Sequence, residues 1–205
     1  MTFALALLTI GVLWLALGVR RIGHVSQGPH IEQRPGTALL LIDLQTVFWR
    51  DGPYDTATKA RAEQAIKAEV DTARQSGDPV IALRQEWTYP STRLIARLAM
   101  KGQAIAGTPG TELASPFAGL PDHVLTKHVQ DGFETGELDT LLARLNIGTL
   151  RIVGLDGAYC VAKTSLAALA RGFEVTLIDD AILTAKPTQF DALRPKLTAQ
   201  GATFT

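Results

Sequence analysis

Three residues with chemically versatile side chains each follow an apolar run in this 205-residue sequence. Asp43 comes directly after TALLLI, Lys127 ends HVLTK, and Cys160 follows TLRIV and the turn GLDGAY. A carboxylate can take a proton from a thiol, the sulfur can then attack a carbonyl carbon, and an ammonium group stabilises the negative charge that passes between them. Together these residue types predict nucleophilic catalysis by cysteine, provided that the fold brings them to one place.

Each of the three residues also has an ordinary structural interpretation. Cys160 is the only cysteine of the chain, and a free cysteine is more often a small buried apolar side chain than a nucleophile. Asp43 alone is compatible with a helix cap or a turn, and Lys127 alone with a surface position. A lysine flanked by apolar residues at the end of a strand is less ordinary, because lysine is seldom buried without a partner.

Apolar runs alternate with helical patterns from Thr37 to the end of the chain. Strands are predicted over 37–42, 79–83, 123–127, 149–153, 173–178 and 202–204. Helices are predicted over 55–77, 92–100, 136–146, 158–171 and 189–200. Alternation of this kind predicts an α/β fold in which helices cover both faces of a parallel sheet. Ligands bind such sheets beyond the carboxyl ends of the strands, so the acid, the base and the thiol are expected on one edge.

The position of Cys160 at the start of a predicted helix suggests how its thiol is activated. The positive end of the helix dipole and the charge of Lys127 are expected to lower the pKa of the thiol. Asp43 is expected to accept the thiol proton. Backbone N–H groups at the start of the helix are candidate donors to a developing oxyanion.

Composition excludes several other classes of protein. The formal net charge is zero, so nothing indicates a nucleic-acid partner. A single cysteine cannot form an internal disulfide, and the sequence has no cluster of cysteine and histidine at zinc-binding spacing.

The N-terminal run FALALLTIGVLWLALGV, residues 3–19, carries no charge and no proline and is followed by Arg20 and Arg21. Its length is at the short end of a membrane span. A cleaved signal peptide is the first alternative, but no basic residue precedes the run and no clear small-x-small cleavage site follows it. A buried core helix is the second, but the run is apolar on every side. We therefore predict a single-pass transmembrane helix, with the positive charges placing the domain on the cytoplasmic side.

The predicted layout has three parts. Residues 1–21 are the membrane anchor, residues 22–36 are a linker rich in Gly, Pro, Ser and Gln, and residues 37–205 are the globular domain.

The segments LLIDLQTVF, LTKHVQDGFETGELDTLL and IVGLDGAYCVAKTSLAALARGFEVTLIDDA resemble the isochorismatase-like cysteine hydrolases, relatives of nicotinamidases and N-carbamoylsarcosine amidases. The resemblance covers about residues 37–205, and the three motifs occur in the family order. It implies a three-layer α/β/α, Rossmann-like fold with a six-stranded parallel sheet. It also implies a small-molecule substrate and a homo-oligomer.

The resemblance also assigns roles to single residues. It implies a catalytic triad of Cys160, Asp43 and Lys127. It implies a cis peptide bond between Leu155 and Asp156, and an oxyanion hole formed by the backbone N–H groups of Asp156 and Cys160.

One departure from the family pattern concerns metals. Nicotinamidases carry an Asp-x-His metal motif after the second strand, where this sequence reads LRQEWTYPST without histidine. No metal and no other cofactor is therefore predicted, and nicotinamide is disfavoured as the substrate.

The resulting hypothesis is a thiol hydrolase that cleaves an amide or carbamoyl C–N bond. Phe48, Trp87 and Phe133 are candidate walls of the substrate pocket, with core packing as the alternative. Two other functions stay open: a membrane-tethered module that binds a small molecule without turnover, and thiol redox chemistry, which the absence of a second cysteine disfavours.

Overall fold

Six strands form the sheet that the alternating pattern predicts. In the computed structural model, which describes residues 2–205, the strands are β1 (Gly36–Ile42), β2 (Val80–Gln85), β3 (His123–Lys127), β4 (Ile147–Leu155), β5 (Glu174–Leu183) and β6 (Thr203–Phe204). They lie in the order β3-β2-β1-β4-β5-β6, and each neighbouring pair is parallel. The chain thus builds outward from β1 on one side and from β4 on the other. Ligand sites of doubly wound sheets lie where the strand order reverses, here between β1 and β4.

The helices are α1 (Thr2–Ile22), α2 (Thr46–Trp49), α3 (Thr56–Ser76), α4 (Pro90–Ala99), α5 (Glu137–Arg144), α6 (Ala162–Ala170) and α7 (Pro187–Ala199). A π-helical turn, Gly157–Val161, precedes α6. The bounds of α3 follow from its capping residues. The Asp55 side chain accepts a hydrogen bond from the Thr58 N–H at 2.8 Å, and Gly77 ends the helix with a φ of 75°. Helix α2 is absent from the sequence prediction because four residues are too short for a helical period to show.

Both faces of the sheet are buried, which explains the continuous apolar run of β1. Its side chains alternate between two apolar clusters, Ala38, Leu40 and Ile42 on one face and Leu39 and Leu41 on the other, and all five are at most 1% exposed. Helix α3 covers the second face with the side chains Ala62, Ile66, Val70 and Ala73. The predicted three-layer α/β/α fold is therefore confirmed.

The N-terminal helix α1 joins the domain through its last turns. Gly18 lies so close to α4 that a Cβ atom at this position would come within 2.8 Å of Ser91. Ile22 is 6% exposed and packs in one apolar cluster with Trp87, and its carbonyl accepts a hydrogen bond from the Gln130 N–H at 3.1 Å. Large exposed apolar side chains occupy the preceding turns: Leu5, Leu7, Leu8, Ile10, Val12, Leu13, Trp14, Leu17 and Val19.

The prediction of an N-terminal transmembrane helix is wrong. Within residues 2–205, no helix combines the length and the apolar character that a bilayer crossing requires. The turns of α1 before Gly18 rise about 24 Å at 1.5 Å per residue, whereas the hydrocarbon core of a bilayer is about 30 Å thick. The predicted membrane location, with the domain on the cytoplasmic side, depends on that helix and is wrong as well.

Two buried charged side chains hold residues 22–36 against the domain. The Ser26 N–H donates to Asp131 Oδ2 at 2.7 Å, and Arg171 Nη1 donates to the Ser26 carbonyl at 3.0 Å. Arg171 is 2% exposed, pairs with Asp139 at 2.8 Å and lies over the ring of Phe133 at 4.6 Å. The segment therefore has a fixed path over the domain surface.

We expect the substitution Arg171→Ala to destabilise the protein by about 2–4 kcal/mol, because it leaves buried acceptors without a donor and opens a cavity beside Phe133. Urea unfolding would show a lower midpoint with an unchanged m-value. Arg61→Ala, which removes an exposed arginine of α3, is the matched control and should leave the midpoint nearly unchanged. Equal midpoints for the two variants would contradict the role given to Arg171.

Candidate active site

A buried ion pair lies at the carboxyl edge of the sheet. Lys127 Nζ is 3.0 Å from Asp43 Oδ2, and both residues are 1% exposed. The ammonium group also donates to Gln85 Oε1 at 2.7 Å and to the Val129 carbonyl at 3.3 Å. Three acceptors for three N–H groups satisfy the lysine completely, as a buried charge requires.

The strand order explains why these side chains meet. Lys127 ends β3, Gln85 ends β2 directly opposite it, and Asp43 follows β1. Because β2 lies between β3 and β1, the side chain of Gln85 stands beside the lysine that reaches across to Asp43. The backbone of Asp43 has a φ of 53°, and its N–H donates to the Leu83 carbonyl at 2.9 Å. The backbone therefore turns away from the direction of β1 at Asp43, at the edge of the sheet.

Cys160 joins this pair from the neighbouring strand. It lies in the π-helical turn after β4, which pairs with β1, and it is 9% exposed. Its thiol is close enough to interact with both Asp43 and Lys127. The second carboxylate oxygen of Asp43, Oδ1, is buried and has no hydrogen-bond partner among residues 2–205. One oxygen of the carboxylate is thus bound to the lysine, and the other remains available to accept a proton.

The electrostatics differ from the sequence expectation. Burial raises the pKa of the Cys160 thiol, the charge of Asp43 raises it further, and Lys127 offsets only part of the effect. The expected lowering of the thiol pKa is therefore wrong, because burial dominates over the helix end and the lysine. Burial also raises the pKa of Asp43, against the opposing attraction of Lys127. For Lys127, burial acts to lower the pKa, but its attraction to Asp43 and Cys160 outweighs burial and raises it.

The turn that carries the thiol is fixed by the Asp156 side chain. The peptide bond between Leu155 and Asp156 is cis. The Asp156 carboxylate accepts hydrogen bonds from the Ala158 N–H at 2.9 Å, the Tyr54 hydroxyl at 3.0 Å and the Thr184 hydroxyl at 3.1 Å. The Ala185 N–H is a further donor to it. The sequence assigned Asp156 only a backbone role, whereas the structure shows that its side chain connects three separate loops.

A cavity of about 360 Å³ opens above the thiol. It is lined by Asp43, Phe48, Tyr54, Gln85, Trp87, Met100, Gln103, Gln130, Leu155, Asp156, Tyr159 and Cys160. Two of the three predicted aromatic walls, Phe48 and Trp87, are in this set. Phe133 is not, because it packs in the core against Phe173 with a centroid distance of 5.7 Å and lies beneath Arg171.

Four polar side chains of the cavity were not predicted from the sequence: Gln85, Gln103, Gln130 and Tyr54. Gln85 could have been found, because it ends an apolar strand in the same way as Lys127. Gln103, Gln130 and Tyr54 lie in irregular segments, where no pattern indicates which way a side chain faces.

The residues at this site do not fit a zinc centre of the nicotinamidase kind. The stretch at the end of β2 where nicotinamidases have their metal motif reads LRQEWTYPST in this chain and contains no histidine. Within this stretch, the side-chain oxygen of Gln85 already accepts a hydrogen bond from Lys127. Within the described part of the chain, no group of three or more His, Cys, Asp or Glu side chains is placed to hold a metal ion.

The geometry agrees with the result of family comparison. The family model described as the isochorismatase domain matches residues 37–205. The chain belongs to the isochorismatase family. It is therefore an enzyme of the isochorismatase-like hydrolases, as the sequence motifs predict.

Individual relatives agree with this assignment. The chain is 27% identical over 144 residues to the uncharacterized isochorismatase family protein YrdC of Bacillus subtilis, which covers 70% of this chain and 72% of the relative. The crystal structure of N-carbamoylsarcosine amidase from Thermoplasma acidophilum is 26% identical with a TM-score of 0.69, over 83% of this chain and 96% of that one. The pyrazinamidase of Pyrococcus horikoshii, solved in complex with zinc, is 24% identical with a TM-score of 0.69, over 83% and 99% of the two chains, and shares the fold.

We expect the thiol of this isochorismatase-family enzyme to titrate above the usual cysteine pKa of about 8.5. Asp43→Asn should lower the midpoint, because it removes the negative charge that raises the thiol pKa, and Lys127→Met should raise it. The rate of iodoacetamide alkylation against pH, followed by mass spectrometry, measures this directly because Cys160 is the only cysteine. Circular dichroism would establish that both variants fold. A wild-type midpoint below 8.5 would contradict the burial argument.

Proposed function

We propose that this enzyme hydrolyses an amide or carbamoyl C–N bond of a small molecule, with Cys160 as the nucleophile and Asp43 as the general base. The observation that carries the proposal concerns the Asp43 carboxylate, which interacts with the Cys160 thiol. One of its oxygens is bound to the buried Lys127, and the other has no hydrogen-bond partner among residues 2–205. A base held in this way has a fixed direction for its proton transfer. The similarity to N-carbamoylsarcosine amidase supports a C–N bond as the target.

The first half of the reaction forms an acyl-enzyme. Asp43 takes the proton of Cys160 as the sulfur attacks the carbonyl carbon, and the carbonyl π electrons move to the oxygen. Backbone N–H groups of Asp156 and Cys160 are the proposed donors to this oxyanion. When the tetrahedral intermediate collapses, the C–N bond breaks and Asp43 gives its proton to the leaving nitrogen. A thioester on Cys160 and a free amine or ammonia result.

The second half regenerates the thiol. Asp43 takes a proton from a water molecule, and the hydroxyl oxygen attacks the thioester carbon. The C–S bond then breaks, the acid leaves, and the proton returns from Asp43 to sulfur. Lys127 keeps Asp43 in place and stabilises negative charge on the carboxylate and the sulfur.

The raised thiol pKa suits this mechanism. A thiol that keeps its proton at neutral pH reacts only when a base removes that proton, so attack is coupled to the carboxylate beside it. This arrangement differs from thiolate-based redox proteins, which depend on a lowered thiol pKa. The homo-oligomer implied by the family resemblance stays a prediction.

Cys160→Ala and Asp43→Asn should each reduce kcat/KM for amide hydrolysis by at least about 100-fold, because the nucleophile and its base act as one unit. A panel of small primary amides and ureas, assayed by release of ammonia, measures the activity. Asp71→Asn, which changes an exposed aspartate of α3, is the matched control and should retain it. Binding of panel members to the wild type without turnover would contradict hydrolysis and favour a binding module.

A further inference from the structure

The cavity above Cys160 has no cation for an acidic substrate. None of its twelve lining residues, all within the described part of the chain, is lysine, arginine or histidine. Lys127 lies beneath the cavity, and all three of its N–H groups are already donated to Asp43, Gln85 and Val129. The two lining carboxylates, Asp43 and Asp156, carry negative charge of their own. A substrate carboxylate would therefore lie near two carboxylates with no cation in the cavity lining, which is unfavourable.

Two side-chain atoms of the cavity residues have no hydrogen-bond partner among residues 2–205: Oδ1 of Asp43, the proposed base, and Nε2 of Gln85. Gln85 Oε1 accepts a hydrogen bond from Lys127. Because an ammonium group can only donate, the side-chain atom of Gln85 that faces Lys127 must be the oxygen and not the nitrogen. The other end, Nε2, is buried, and no atom of residues 2–205 accepts a hydrogen bond from it. An unsatisfied buried donor is unfavourable in the free protein and favours any ligand that supplies an acceptor.

The unpaired donor is also held rigidly. The Gln85 N–H donates to Gln45 Oε1 at 2.6 Å, and the Gln85 carbonyl accepts from Gln45 Nε2 at 3.0 Å. Gln45 is itself fully buried and donates to the Thr111 carbonyl at 2.8 Å. Both the backbone and the side chain of Gln85 are therefore fixed before a ligand arrives, so little conformational entropy is lost on binding.

We propose that Gln85 is a specificity-determining residue whose free side-chain N–H binds a neutral acceptor of the substrate, so that the enzyme selects uncharged amides with a second carbonyl-type acceptor and rejects their carboxylate analogues. This inference rests on the proposed amide hydrolysis and names the class of amide. The aromatic rings of Phe48, Trp87 and Tyr54 line the same cavity and suit the uncharged carbon skeleton of such a molecule.

Matched probes separate charge from hydrogen bonding. Malonamide carries a second neutral carbonyl, 3-methylbutanamide replaces it by an apolar group of the same shape, and malonamate replaces it by a carboxylate. Succinamide, 4-methylpentanamide and succinamate form the same series with one more carbon. Each probe is tested for protection of Cys160 against iodoacetamide in the full chain. In at least one of the two series, we expect the diamide to protect half of the Cys160 thiol at a concentration at least tenfold lower than the apolar amide and the carboxylate require.

Variants of Gln85 test whether this side chain is responsible. Gln85→Met removes the donor and should abolish the tenfold advantage of the diamide over the apolar amide. Gln85→Glu keeps an acceptor for Lys127 but loses the N–H, so the tenfold advantage of the diamide over the apolar amide should disappear. This second variant keeps the test valid if Gln85→Met does not fold. Gln64→Met, on the exposed surface of α3, is the matched control and should keep the wild-type order.

The outcomes distinguish this inference from the proposed hydrolysis, because protection requires no turnover. Equal protection by the diamide and the apolar amide at both lengths, or stronger protection by the carboxylates, would overturn the inference. Retention of the diamide advantage in Gln85→Glu would overturn it as well, since the residue would then only support Lys127. Release of ammonia is followed in parallel. The expected order of protection without ammonia from any amide would support the ligand class and contradict only the hydrolysis.

Discussion

The buried ion pair between Lys127 and Asp43 is the interaction on which the rest of the site depends. Each charge loses several kcal/mol of hydration on burial, and only a complete set of partners compensates for that loss. The partners come from different strands, since Lys127 ends β3, Gln85 ends β2 and Asp43 follows β1. The pair can therefore exist only when the sheet holds these three strands in register.

The same burial determines the chemistry of the thiol. A cysteine at the start of a helix beside a lysine is expected to ionise easily, but Cys160 is enclosed with a carboxylate, and its thiol pKa is raised. The resting group is consequently a neutral thiol beside Asp43, the proposed base. In the proposed mechanism, such a site limits side reactions of the sulfur, because attack requires proton transfer to Asp43.

The turn after β4 shows how side chains of distant segments fix the backbone of the candidate active site. Asp156 accepts hydrogen bonds from Tyr54, from Thr184 and Ala185 beyond β5, and from Ala158 within its own turn. These contacts hold the segment that carries Cys160 against the open end of the sheet. The position of the sulfur thus depends in part on Tyr54, which lies 102 positions before Asp156 in the chain.

The sequence alone determined the sheet, its helices and the three residues Asp43, Lys127 and Cys160, because strands buried on both faces leave continuous apolar runs and the residues that follow them lie on one edge. It did not show what surrounds a side chain. The apolar N-terminal run does not indicate that α4 packs against its last turns. Likewise, the identity of Phe133 does not indicate whether its ring faces the cavity or the core. Only the tertiary structure decided the raised thiol pKa and the unpaired donor of Gln85, because burial and hydrogen-bond satisfaction arise from atoms that are distant in sequence.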